Sequence, residues 1–207
     1  MPRITEERRE ARREQILDAA AACMQEHGLE AVSMEMIIAR SGLSTGAVYR
    51  YFTGKDEIIS AAVTGGMAGL AAAMAPILAN PDPPALPEFV GQMMSAGLAF
   101  GLRDSGIDRL RVAIHGWSYA QTDPALKAVA AAAFHAMRDQ CAAAVTRWQA
   151  AGTVDPDADP TAIAQLIMSI CLGFVAQRAL AGGADPAAHV AALAAVTRPV
   201  TGTASRH

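Results

Sequence analysis

Residues 33–55 read SMEMIIARSGLSTGAVYRYFTGK, and this segment predicts two short helices joined by a tight turn. Ser33 stands where an N-cap residue is expected, because its side-chain oxygen can accept a hydrogen bond from the first turn. Gly42 ends the first helix, since glycine readily adopts the left-handed conformation of a C-terminal turn. Ser44 then caps the second helix, which we expect to run through Tyr51.

The side chains of this segment separate into an inner and an outer face. Ile37 and Ile38 form the apolar side of the first helix. Val48 and Phe52, four residues apart, face inward from the second. The other side chains are small, hydroxylated or basic, as on a helix whose N-terminal end enters the major groove and contacts phosphates. We therefore expect DNA contacts from Ser33, Ser44, Thr45, Gly46, Ala47, Tyr49, Arg50, Tyr51 and Lys55.

The segment resembles the helix-turn-helix of TetR-family transcriptional regulators. The resemblance is carried by the turn at Gly28 and by the pattern S-x-G-x-x-Y-x-Y-F-x-x-K, formed here by Ser44, Gly46, Tyr49, Tyr51, Phe52 and Lys55. It covers the N-terminal part of the chain. Ile38 departs from it, because the family usually has a small alanine there, so we expect the two helices to pack slightly further apart.

Composition indicates a globular chain of 207 residues, with 52% hydrophobic and 18% charged side chains. The net charge of −3 is not that of a typical nucleic-acid-binding protein, but residues 40–55 contain basic side chains and no acidic one. Three scattered cysteines form no disulfide pattern, and the charged N-terminus is not a secretory signal, so we expect a cytoplasmic protein.

Enzymatic and metal-dependent functions find no support in the sequence. No His, Asp, Glu or Cys group has metal-ligand spacing, and no glycine-rich loop follows a strand. We therefore expect no catalytic residue, no metal and no cofactor. Two uncharged runs, residues 58–81 and 161–177, are read as buried helices rather than membrane spans, because the first contains glycine and proline and the second is short.

Helical periodicity and turn residues predict an all-α fold along the rest of the chain. We expect a helix-turn-helix DNA-binding domain over residues 1–57, with the motif at 33–52, and an effector-binding and dimerisation domain over residues 58–207. The resemblance implies the same architecture: three N-terminal helices followed by a C-terminal helical bundle. Helices are expected over residues 7–27, 55–78, 85–102, 105–119, 124–150, 160–180 and 186–197.

The helix at residues 160–180 is apolar on most sides, so other helices must cover it. Its expected partner is the helix at residues 124–150, and the resemblance implies that this pair forms a four-helix bundle with its copy across a two-fold axis. A single monomeric core is the alternative. The expected dimer interface comprises Phe134, Met137, Cys141, Val145, Ile163, Ile167, Ile170 and Phe174.

Methionine and aromatic side chains are frequent on the central helices, and either they are core residues or they line an apolar effector pocket. Gln92 and Tyr119 are further polar candidates there. Leu110, Ile114 and Trp117 share one stripe of their helix, while residues two positions from Trp117 point away from it. Candidate ligand-binding residues are Met67, Met74, Met93, Met94, Phe100, His115, Trp117, Phe134 and Gln177.

We interpret the chain as a homodimeric, ligand-responsive transcriptional regulator. It would be a repressor that a small apolar or aromatic molecule releases from a palindromic double-stranded DNA operator, and no membrane would be involved. A dimeric DNA-binding protein without an effector is the alternative, which the absence of any ligand-induced thermal shift would favour. A third hypothesis, an enzyme or carrier of lipophilic molecules, would gain from undetectable DNA binding at low salt.

Overall fold

The computed structural model describes residues 5–102 and 107–198, and these residues form nine helices and no strand. This confirms the all-α prediction. The helices are α1 (Glu6–His27), α2 (Met34–Ser41), α3 (Thr45–Val48), α4 (Lys55–Leu78), α5 (Leu86–Gly101), α6 (Arg109–Ala120), α7 (Pro124–Ala150), α8 (Pro160–Ala181) and α9 (Pro186–Thr197).

Three of the C-terminal helices begin at an Asp-Pro pair. The side chains of Asp123, Asp159 and Asp185 accept hydrogen bonds from amide groups of the first turn. The following proline suits the first helical position, because its fixed φ fits the helix and no amide donor is lost there. These caps explain why the starts of α7, α8 and α9 agree with the sequence-based expectation.

Two helices differ from the expected bounds. α3 ends at Val48 instead of continuing to Tyr51, and the amides of Tyr51 and Phe52 both donate to the Val48 carbonyl in a closing turn. α6 begins at Arg109, because the Asp108 carboxylate accepts hydrogen bonds from the amides of Leu110 and Arg111 in the first turn. The expected start at Ser105 lies outside the described residues.

An N-terminal hydrophobic cluster joins α1, α2, α3 and the start of α4. Its fully enclosed side chains include Ile16, Met24, Ile37, Val48 and Ile58. Ile107 and Val112, from the region of α6, are buried in the same cluster. Within this cluster α1 contacts α2, α4 and α6.

A C-terminal cluster is built from α4, α5, α7 and α8. Phe89 is fully enclosed and meets the Trp148 ring edge to face, with ring centroids 5.1 Å apart. The indole N–H of Trp148 donates to the carbonyls of Pro83 and Pro84, at 3.2 and 3.0 Å. These contacts fix the proline-rich connection between α4 and α5 against α7.

α4 is the continuous element between the two clusters. It contacts α1 at its N-terminal part and α5 and α7 further along, and the expected domain boundary at residues 57 and 58 falls in its first turns. By length and composition alone, α4 and α8 could each cross a membrane. In the fold α8 packs against α5, α6 and α7.

Candidate DNA-binding and effector sites

The two helices α2 and α3 and the turn between them are fixed by side-chain hydrogen bonds to the backbone. Ser33 Oγ accepts from the Met36 amide and Ser44 Oγ from the Ala47 amide, each at 3.3 Å. Gly42 has φ +66°, in the left-handed region that was expected of it. The Gln15 amide of α1 donates to the Ser41 carbonyl at 2.7 Å, so the turn is also held from α1.

Most of the expected DNA-contacting residues lie on the outer face of this motif. Ser44, Thr45, Gly46 and Arg50 are exposed, and 49% of Tyr49 is exposed. Val48 and Phe52 are buried beneath them, so that α3 presents its opposite side to solvent.

Tyr51 differs from its neighbours on this segment. We expected no core partner for it, but it is half-buried and packs against the N-terminal cluster, because the chain turns inward after Val48. Ser33, Ala47 and Lys55 are also half-buried.

The Arg40–Glu26 ion pair and the Thr53–Glu57 contact beside the motif were not anticipated from the sequence. Arg40 Nη1 lies 2.6 Å from Glu26 Oε2, which ties α2 to α1 and lowers the pKa of the Glu26 carboxyl. The Thr53 amide and hydroxyl each donate to Glu57 Oε2 at 2.7 Å. These hydrogen bonds lower the pKa of Glu57 and join the connection after α3 to the first turn of α4. The sequence does carry a signal for the Thr53–Glu57 contact, namely an acidic residue in the first turn of α4, four positions after a threonine.

A cavity of about 470 Å³ lies between α1, α4, α5, α6, α7 and α8. A volume of this size is within the range of small-molecule sites. Gly65 and Gly66 lie on its wall with no side-chain or distant backbone neighbour where a Cβ would stand. The expected ligand-binding residues on its wall are Met67, Met74, Met93, Met94, Phe100, Trp117 and Phe134.

His115 and Gln177 are not on this wall, contrary to expectation. His115 lies with Tyr119 on the other side of α6, in a groove that His27 and Asp56 also line. Two residues of a helix are about 200° apart, so a helix that turns Trp117 to the cavity turns His115 away from it. Gln177 and Gln92 are exposed.

One end of the cavity carries charge, which the sequence analysis did not foresee. The residues there are Arg13, Glu14 and Asp18 of α1 and Arg109 of α6. Arg109 Nη2 lies 2.9 Å from Asp18 Oδ1, and this ion pair joins α6 to the DNA-reading half of the chain. The cavity therefore borders both halves.

Two cysteines, one on α7 and one on α8, have raised thiol pKa values. Burial raises the pKa of Cys141 to about 11 and that of Cys171 to about 12, so the thiolate form is suppressed. These side chains therefore act as small apolar groups in the packing of α7 against α8.

The expected dimer interface needs correction. Cys141, Val145, Ile167 and Phe174 are almost fully enclosed within one subunit, so they have no surface left for a second copy. Phe134 lines the cavity. Met137, Ile163 and Ile170 are half-buried and pack against the C-terminal cluster. Large apolar side chains are exposed elsewhere on the last helices: Leu166 (58%), Leu180 (85%) and Val196 (83%).

Comparison with protein families agrees with this architecture. Residues 16–62 match the family described as "Bacterial regulatory proteins, tetR family", and residues 93–199 match "BetI-type transcriptional repressor, C-terminal". The chain therefore belongs to the TetR family of transcriptional regulators, which confirms the resemblance drawn from the helix-turn-helix. Proteins of this family are DNA-binding regulators and not enzymes.

Individual relatives are more distant. The HTH-type transcriptional repressor Rv1474c of Mycobacterium tuberculosis is 33% identical over 91 residues, which cover 40% of this chain and 49% of that protein. The chain thus spans about half the length of this curated relative.

Solved structures share the fold over most of their length. GusR of Salmonella enterica has a TM-score of 0.69 at 19% identity, covering 94% of this chain and 98% of its own. SmeT, the repressor of the Stenotrophomonas maltophilia multidrug efflux pump SmeDEF, has a TM-score of 0.65 at 25% identity, covering 86% and 84%.

Proposed function

We propose that the protein is a homodimeric transcriptional repressor, which a small apolar or aromatic molecule in the cavity releases from a palindromic operator. The observation that carries this proposal is the position of the cavity, whose wall includes α1 of the DNA-reading half and α4 through α8. A molecule bound there would contact both halves, so its binding would favour one arrangement of α1 and α4 over another. We infer a cytoplasmic location, since the target is DNA.

Relatives support the proposal in two respects. The mycobacterial relative is described as a repressor, and SmeT is known as a complex with triclosan. In this chain we propose a DNA-binding domain over residues 1–57 and an effector-binding and dimerisation domain over residues 58–207. α4 would carry the effect of the ligand between them, because it runs from the end of the motif to the cavity.

We propose that the dimer forms through the outer faces of α8 and α9. Leu166 and Leu180 of α8 and Val196 of α9 are exposed in one subunit. A dimer interface formed by these faces would cover the three apolar side chains. A two-fold axis there would give two recognition motifs per dimer. Operator half-sites would then lie about 34–36 Å apart, or a multiple of that distance.

The test begins with operator selection from random DNA, followed by footprinting and a screen of apolar and aromatic ligands. We expect two protected half-sites. We also expect an active ligand to raise the melting temperature, release the operator and change Trp117 emission more than that of Trp148.

Trp117→Ala should weaken the response to ligand while operator affinity stays nearly unchanged. A single asymmetric footprint would contradict the dimer, and a normal response in Trp117→Ala would contradict the assigned cavity.

Lys55→Ala, which removes an ammonium group, should weaken binding to all DNA sequences about equally, because a phosphate contact carries no sequence information. The slope of log affinity against log salt should fall by about one unit for each phosphate contact that is lost. Lys127→Ala, which removes an exposed lysine of α7 far along the chain, is the control and should bind as the wild type does.

Tyr49→Phe tests the neighbouring contact, since it removes one hydroxyl and leaves the ring. Affinity should fall without any change in sequence preference. An altered operator consensus in Lys55→Ala or Tyr49→Phe would show that the residue reads base edges instead of phosphates.

A further inference from the structure

The charged end of the cavity indicates which ligands it accepts, and we propose that it selects an apolar molecule with a single cationic end group. The inference rests on the proposed function, since this molecule is the effector. Apart from Arg13, Glu14, Asp18 and Arg109, the side chains on the cavity wall are apolar or aromatic. An elongated ligand can therefore bury its body among them and bring only one end to the charged groups.

Both arginines at this end already interact with other groups. Arg13 Nη1 lies 3.6 Å from Glu10 Oε1, and the Arg13 guanidinium lies 5.5 Å from the centre of the Phe52 ring. Arg109 Nη2 donates to Asp18 Oδ1 at 2.9 Å, and only 21% of the Arg109 side chain is exposed. An anionic ligand would have to compete with these partners for either guanidinium.

The carboxylates at this end have acceptor capacity to spare. Glu14 is exposed, and it makes no hydrogen bond or ion pair with any residue in 5–102 or 107–198. Asp18 lies one turn further on the same face of α1, and 45% of its side chain is exposed. A carboxylate has about four acceptor positions. An ammonium group between Glu14 and Asp18 would therefore find acceptors while the Arg109 guanidinium keeps part of its contact with Asp18.

Such a ligand would act on the contact between α1 and α6. Asp18 belongs to the DNA-reading half, and its carboxylate is shared with Arg109 of α6. A ligand cation at Asp18 competes with Arg109 for the same oxygens, so occupancy weakens the ion pair between the two helices. The end group of the ligand would thus determine both affinity and the strength of operator release.

The experiment compares octylammonium, 1-octanol and octanoate, which share an eight-carbon chain and differ in the charge of the end group. Affinity for the full chain is measured by calorimetry at neutral pH, and operator release is measured at equal occupancy. We expect octylammonium to bind roughly 3- to 10-fold more tightly than octanol, as ion pairs of this exposure allow. Octanoate should bind more weakly than octanol.

Variants identify the groups responsible. Glu14→Gln should remove most of the preference for octylammonium and leave octanol affinity unchanged. Glu7→Gln is the matched control, because Glu7 is an exposed glutamate of α1 outside the cavity wall, and it should keep the preference. Asp18→Asn also removes a partner of Arg109, so its melting temperature is measured beside its affinities.

The proposal would be overturned by octanoate affinity equal to that of octylammonium, or by a preference for octylammonium that survives Glu14→Gln combined with Asp18→Asn. Operator release by all three probes to the same extent would also overturn it, while leaving the proposed repressor function intact. If probes bind and none releases the operator, the ligand response of the proposed function is contradicted instead.

Discussion

Leu166→Asp is expected to convert the dimer into a folded monomer and to lower operator affinity by about 100-fold or more. In one subunit 58% of Leu166 is exposed, so the substitution should cost the monomer little stability. In the proposed α8–α9 interface, the two-fold axis would bury two unpaired carboxylates at once. A monomer presents a single recognition motif and loses the second set of DNA contacts. Light scattering and operator titration measure the two effects.

Val129→Asp is the control, because 43% of Val129 is exposed and it lies on α7, outside the proposed interface. It should remain dimeric and bind operator normally. A dimeric Leu166→Asp protein with wild-type affinity would remove α8 from the interface. Dissociation by Val129→Asp would instead favour the α7–α8 interface that the sequence analysis proposed.

Phe89→Ala is expected to lower the free energy of unfolding by about 3–5 kcal/mol, which is a large share of the 5–15 kcal/mol typical of native proteins. Phe89 is fully enclosed, and its loss would leave a void against the Trp148 ring. Urea unfolding followed by circular dichroism measures the change.

The matched control for this prediction is Val129→Ala, which truncates an exposed side chain and should change the unfolding free energy by less than about 0.5 kcal/mol. An equally small effect in Phe89→Ala would show that the neighbouring helices close the void without cost. In that case the packing between α5 and α7 would be more adaptable than the fold suggests.

Local chemistry made most helices predictable. The starts of α7, α8 and α9 follow from an aspartate cap and a proline, both of which act within one turn. The sequence analysis placed the start of α6 at Ser105, whereas the helix begins after Asp108; both are residue types that cap helices. The shortness of α3 was missed, since its last turn depends on the inward packing of Phe52.

Contacts between distant residues were not predictable in the same way. Asp18 and Arg109 are 91 residues apart, and nothing local to either one indicates the ion pair. Periodicity placed Phe174 and Ile167 on an apolar stripe of α8, but a stripe does not indicate whether the covering helix comes from the same chain. Both are enclosed within one subunit, and the exposed apolar side chains lie on another side of the helix.

The two glycines in the middle of α4 lower its helix propensity between the buried turns at Ile58 and Met74. Gly65 and Gly66 have no packing neighbour where a Cβ would stand, and each costs a helix about 1 kcal/mol relative to alanine. Transient breaking of backbone hydrogen bonds is therefore expected at these glycines, with the buried Ile58 turn and the Met74 turn remaining closed on either side. α4 would then behave as two rigid segments with a compliant joint facing the cavity, and bound ligand would set the angle between them.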